Sequence, residues 1–227
     1  MPRTSRPTKR RARTAATPLA RMLSGQAARR RVGPLDVFAR ARKKWLAGER
    51  IEIGGLADEL GVSRATVFRW VGSRELLYGQ VLSSLFLLTL EQGRREARGR
   101  GADFLAEVMD RLLRALRRSV PLRRFVHQDP AYAVRVLMSK DSAVDARCAA
   151  VLRGVVEREV RAGRFAHPMD PKSLAYVALR IGTAFLYRDV ITGDEPDVDA
   201  AMIAIRILFG AAPARPAAQE RAAEGRE

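Results

Sequence analysis

Residues 53–70 read IGGLADELGVSRATVFRW, and this stretch decides the fold. It reads as two short helices joined by a tight turn. Leu56, Ala57 and Leu60 line one face of the first helix. Gly61 stands where that helix must end in a left-handed backbone angle, which glycine adopts at little steric cost. Val62 plugs the corner, and the Ser63 hydroxyl is placed to cap the second helix. Val67 and Trp70, three apart, are expected to face back toward the first helix. This is the spacing of a helix-turn-helix, with the small Ala57 letting the helices cross closely. Arg64, Ala65, Thr66, Phe68 and Arg69 would then point outward. Those types suit a DNA major groove: Arg for guanine edges or phosphates, Thr and Ala for thymine methyls. Two amphipathic helices joined by Gly also occur in proteins that bind no DNA, so the flanking sequence has to decide.

The charge balance favours an anionic partner. The chain has 227 residues and a formal net charge of +17, which suggests nucleic acid or an anionic membrane surface. Residues 1–33 carry ten Lys and Arg and no acid, so the other seven excess charges follow Gly33. Such a segment cannot bury enough apolar area to offset its chain entropy and is expected to be a disordered basic arm. It would lie along phosphates or enter a minor groove, or be a solvated tail.

Downstream, helical signals repeat. Leu35, Phe38, Ala41 and Trp45 recur at helical spacing after Pro34, and Gly48 closes that helix. Gly54 and Gly55 are poor helix formers with no evident local reason. Ser73 can cap a long helix from Arg74 to about Arg95, with Leu76, Leu77, Val81, Leu82, Leu85, Phe86, Leu88 and Leu90 on a broad apolar face. Arg74, in its first turn, is expected to share a phosphate with the backbone N–H groups there. Further helices are predicted over 102–119, 122–128, 130–138, from Asp141-Ser142 to about 162, 171–189 and 197–209. Asp129-Pro130 and Asp170-Pro171 mark two of their starts. No strand-like alternation of any length occurs. The expectation is an all-α fold: a basic arm (1–33), a helix-turn-helix unit (34–78), a larger helical unit (79–210) and a disordered tail (211–227).

Other chemistries find little support. There is no Gly-rich phosphate loop, no G-x-S-x-G and no H-x-x-x-H. Glu157 and Glu159 sit among Arg158 and Arg161 on what reads as a solvated helix face. The two histidines, His127 and His167, are far apart and Cys148 is the single cysteine, so no zinc spacing exists. No enzyme, catalytic residue, metal or cofactor is expected. One cysteine fits a reducing cytosol. The best uncharged run, residues 76–90, is shorter than the ~20 residues of a membrane span. The competing readings are a non-specific basic DNA-compacting protein and a membrane-surface or scaffold protein.

With VSRATVFRWVGSRELL in place and about six further helices behind it, the chain resembles the tetracycline-repressor (TetR) family of bacterial regulators. The family motif usually runs V-S-(K/R)-G-T-(L/I)-Y-x-(H/Y)-F-x-S-K-E. Val62, Ser63, Arg64, Thr66, Val67, Ser73 and Glu75 fit it. Phe68 stands for the usual Tyr, Ala65 for Gly, Trp70 and Val71 for His or Tyr and Phe, and Glu52 for a capping Ser or Thr. The wording of residues 46–72 also looks like the QsdR-type branch, named for a link to quorum-signal degradation.

The resemblance implies a cytoplasmic homodimer on double-stranded DNA, released by a small-molecule effector, with repression as the expected sign. It implies DNA contacts from Ser63, Arg64, Ala65, Thr66, Phe68, Arg69, Trp70 and Arg74. It implies a dimer formed by the last two helices, with Leu174, Ile181, Phe185, Met202, Ile205 and Phe209 as the expected interface. For the effector pocket the polar, aromatic or sulfur-bearing residues on core-like helices are Phe125, His127, Tyr132, Met138, Tyr176, Arg180 and Phe185; such residues are also common in ordinary cores and surfaces. Arg180, amid an apolar stripe, could meet a carbonyl or carboxylate ligand, or an intersubunit acid.

Overall fold

Capping chemistry places most of the helix starts. In the computed structural model, which describes residues 17, 32–139 and 142–212, the Oγ of Ser63 and Ser73 and the carboxylates of Asp129, Asp170 and Asp197 each accept a backbone N–H in the turn that follows. The described residues form eleven helices: α1 Pro34–Leu46, α2 Ile53–Leu60, α3 Arg64–Val71, α4 Arg74–Glu96, α5 Gly101–Arg118, α6 Val120–Gln128, α7 Pro130–Met138, α8 Val144–Arg161, α9 Pro171–Leu186, α10 Arg188–Ile191 and α11 Val198–Phe209. Every regular element among them is a helix, and the fold is all-α. The predicted arm, apart from Thr17, Val32 and Gly33, and the tail beyond Ala212 lie outside the described residues.

α1, α2 and α3 pack together and onto the start of α4. Lys44 and Arg40 of α1 reach Glu59 of α2 at 2.6 and 3.4 Å. The body is formed by α4 with α5 and α8, closed by α9 and α11. The buried residues of both parts join in one continuous core, from Val37 to Phe209.

Several readings shift. The buried face of α1 is Pro34, Val37, Ala41 and Trp45, whereas Leu35 is exposed. On α4, Leu88 faces solvent. α8 starts at Val144: Ser142 is fully buried ahead of it, donates its hydroxyl to the Val136 carbonyl and accepts the Val144 N–H at 3.2 Å. That placement also explains Gly79 in mid-α4: a Cβ there would overlap the Ser142 carbonyl oxygen. Glu159, read as solvated, is buried. Its two carboxylate oxygens take Arg164 Nη2 and Nε at 2.7 and 2.9 Å, and the Gly101 N–H at 3.3 Å. Arg164 holds that carboxyl below the usual carboxylate range.

The expected dimer residues are mostly interior. Leu174, Met202, Ile205 and Phe209 lie in the monomer's own core, with Ile181 and Phe185 packed against it. Periodicity identifies a buried face but not whether the same chain or a second copy buries it. The exposed apolar residues of α11 are Ile203 (64% exposed) and Ile207 (76%).

Candidate nucleic-acid interface and interior cavity

α3 is held by its inner face and open on its outer one. Gly61, at φ 64°, turns the chain out of α2. The Ser63 hydroxyl accepts the Thr66 N–H at 3.1 Å and lies 2.9 Å from the Thr66 hydroxyl. Val67 and Val71, four apart, are the buried residues; Trp70, expected in that role, is only partly buried. Arg64, Ala65, Phe68 (46% exposed) and Arg69 face solvent together, and Thr66 lies at the edge of that face.

Two neighbours of α3 were not legible as such. A Cβ on Gly54 would come within 2.9–3.0 Å of the Arg64 guanidinium, so the missing side chain leaves Arg64 room to lie over the start of α2. Of the unexplained glycine pair, Gly54 was the signal; a Cβ on Gly55 meets nothing within 4 Å. Arg74, expected at a phosphate, is otherwise engaged. Its Nη1 is 3.1 Å from Glu52 Oε1 and its guanidinium carbon lies 4.4 Å from the Tyr132 ring centroid. Glu52 and Tyr132 hold it from opposite sides of the junction with the body.

That junction is aromatic. Trp45 contacts the rings of Tyr78 and Phe125 at 6.0 and 5.1 Å, and Tyr132 meets Tyr78 and Phe125 at 5.8 and 6.1 Å. The Tyr78 hydroxyl accepts the Ile51 N–H at 3.0 Å, just ahead of α2. Arg124 donates to the Gly48 carbonyl at 3.3 Å, and Arg135 meets Glu75 at 3.5 Å. α6 and α7 therefore grip the helix-turn-helix unit from the body side.

Trp45 also forms, with Leu46 of the same helix, part of the wall of a cavity of about 390 Å³. The rest of the wall comes from α4, α5, α6, α7, α8 and α9, with Tyr187 beyond them, and is mainly Leu, Phe, Met and Val. Of the seven residues singled out from the sequence, Met138 and Arg180 line it. Phe125 and Tyr132 belong to the aromatic junction. His127 is exposed and 3.1 Å from Asp189, Tyr176 is exposed, and Phe185 packs against the core beneath Arg188. Asp145, Cys148 and Tyr187 are wall residues that sequence reasoning missed. Burial pushes the Cys148 thiol up to about 12, so it stands as a neutral thiol rather than a nucleophile. Among the described residues no group of three or more His, Cys, Asp or Glu is placed to hold a metal ion. No described helix is long and apolar enough to cross a membrane.

Residues 100–210 match the family described as tetracyclin repressor-like, C-terminal domain. The fold matches the solved structure of the transcriptional repressor QsdR of R. erythropolis, from the TetR family. The TM-score is 0.75 and the identity 26%, over 81% of this chain and 97% of that one. The chain belongs to the TetR family. It is therefore a transcriptional regulator of a DNA-binding family. A second TetR-family structure, PfmR of Thermus thermophilus, covers 78% of this chain and 99% of its own at 19% identity. Its TM-score of 0.37 is too low to carry any argument. No curated protein matches the chain. The TetR assignment accounts for the layout: α1–α3 ahead of a helical body, with a cavity where the two meet.

Proposed function

We propose that this TetR-family chain represses transcription in the cytoplasm as a homodimer on a palindromic operator, and that a small molecule entering the cavity releases it. Residues 34–78 serve as the DNA-binding unit, and 79–210 as the ligand-binding and dimerisation unit. Arg64, Ala65, Phe68 and Arg69 face the major groove, with Ser63 and Thr66 at the edge. Two copies pair through Ile203 and Ile207 on the outer face of α11, setting two α3 helices in successive grooves, ~34 Å apart or wider. The description of QsdR as a repressor supports repression as the sign.

One observation carries this reading: Trp45 lies in the helix that supports α3 and also in the wall of the cavity. An occupant that favours one placement of α1 therefore changes the spacing of the two α3 helices, and DNA affinity with it. The test is a selection of bound duplexes from a random pool with the full chain. A two-fold symmetric sequence should be enriched. Uniform affinity for all duplexes would sink the operator reading in favour of non-specific compaction.

A further inference from the structure

The cavity wall carries two charged residues, and they neutralise each other. Asp145 on α8 and Arg180 on α9 are ion-paired through Arg180 Nη2. Every other wall residue is uncharged. Burial keeps the Tyr187 phenol and the Cys148 thiol protonated. A charged occupant would leave water and meet no spare counter-ion, at a large desolvation cost. A carboxylate in particular would set two anions against one guanidinium.

Hydrogen bonding narrows the chemistry further. Thr89 donates to the Leu85 carbonyl at 2.9 Å and Thr183 to the Arg180 carbonyl at 3.2 Å. The Ser119 hydroxyl accepts the Leu122 N–H at 3.4 Å. Those wall hydroxyls already serve their own helices. Arg180 Nη1 rests 3.4 Å from the Met138 sulfur. Arg180 Nε has no surface open to the cavity. Beyond the Tyr187 phenol and the Cys148 thiol the remaining wall is apolar, including Leu82, Leu85, Phe86 and Leu116. The volume falls in the roughly 300–1,000 Å³ range of small-molecule sites.

We infer that the cavity takes a neutral, chiefly apolar molecule and turns away ions of either sign. This rests on the reading of the cavity as the effector site and decides against a carboxylate partner for Arg180. Asp145 holds the guanidinium and excludes a competing anion.

The chain supplies its own reporter, since Trp45 and Trp70 are its two tryptophans and Trp45 lines the cavity. The full-length Trp70→Phe protein is titrated near neutral pH with 2-decanone, decanoate and decylammonium, all kept monomeric, while Trp45 emission is followed. The ketone should give a saturable change and bind at least about tenfold more tightly than either ion, which would lose its hydration with no spare counter-ion to meet. Asp145→Asn in the same background leaves the Arg180 guanidinium without its counter-ion. It should tighten decanoate by about tenfold while leaving the ketone affinity unchanged. Decanoate binding as tightly as the ketone would overturn the neutral-ligand assignment and leave the cavity as the effector site. Unchanged decanoate affinity in Asp145→Asn would remove the ion pair as the reason that anions are excluded. No saturable change with any of the three probes would overturn both this inference and the effector reading beneath it.

Discussion

The outer face of α3 and the cavity behind Trp45 are sites built in opposite ways. On α3 a short helix buries Val67 and Val71 and leaves Arg64, Ala65, Phe68 and Arg69 standing in solvent. The cavity withholds packing instead: residues from α1 to α9 stop short of each other around about 390 Å³. The first site is local, so a turn, a cap and a spacing of four specify it. The second has no local specification, because any one of its leucines would serve equally well in a filled core. In the proposed function α3 acts through exposed side chains, and the cavity through the space between buried ones. Substitutions that exchange inside for outside therefore act on different quantities in the two cases.

α11 offers the starkest version of that exchange and the largest expected effect. Ile205 is fully buried and Ile207, two residues on, is 76% exposed. Ile205→Glu places an unpaired carboxylate in the core and should cost more than ~4 kcal/mol, enough to unfold a marginal domain. Ile207→Glu should change monomer stability by less than ~0.5 kcal/mol yet leave the protein monomeric at micromolar concentration. Thermal melts and sedimentation check the pair. An Ile207→Glu protein that still sediments as a dimer removes the α11 face from the interface.

A pair of glycines, one per region, gives the next effect. Gly79 of α4 lies against the Ser142 backbone, whereas an added Cβ on Gly55 of α2 meets nothing within 4 Å. Gly79→Ala forces α4 from the chain ahead of α8 and should cost about 3 kcal/mol. Gly55→Ala removes only glycine's helix penalty and should stabilise by up to about 1 kcal/mol. Denaturant midpoints with unchanged slopes would measure both. A Gly79→Ala protein as stable as the parent would show that this packing is looser than the structure has it.

These cases show what the sequence could convey. The helix-turn-helix is legible because Gly61, Ser63 and Val67 act on neighbours within a few residues. The caps at Ser73, Asp129 and Asp170 are legible for the same reason. Arg74 is not, because Tyr132, which shares it with Glu52, lies far along the chain. Trp70 gave way to Val71 because residues three and four apart both fit an apolar stripe, and only the packed partner decides between them. Phe125 and Tyr132 are aromatic for the sake of a junction rather than a ligand. Trp45, Leu82 and Leu116 line the cavity while reading as core. Interface residues fail likewise: a stripe such as Leu174 and Ile205 identifies burial, not the copy that provides it.

On DNA the expected effects are smaller and divide along the same boundary. Arg64→Ala and Arg69→Ala should each weaken a selected operator by ~1–3 kcal/mol if they make bidentate base contacts, and random duplex far less. Arg74→Ala, removed from the Glu52–Arg74–Tyr132 contact, should leave sequence discrimination unchanged to within about 0.5 kcal/mol. It would act on the junction instead, lowering the response to a cavity ligand. Electrophoretic titrations on operator and random duplex separate the two. Discrimination lost with Arg74 would return that residue to the DNA interface.

The smallest effect compares two carboxylates, Glu59 of α2 and Glu159 of α8. Lys44 hydrogen-bonds Glu59, and Arg164 hydrogen-bonds Glu159; each carboxyl is held below its ordinary range for that reason first. A depressed folded-state pKa contributes stability that is fully present above the unfolded value, ~4.3 for Glu. That contribution is lost as pH falls through the folded value. Glu59 is on the surface, where water screens the pair, so Glu59→Gln should leave the stability profile unchanged. Glu159 is buried against the Gly101 N–H as well as the guanidinium, and Glu159→Gln should cost about 1 kcal/mol at neutral pH. The two curves of stability against pH should then converge below the folded pKa, where the parent's carboxyl is protonated too. A constant offset between them from neutral pH down into acid would assign the loss to packing rather than to the charge on Glu159.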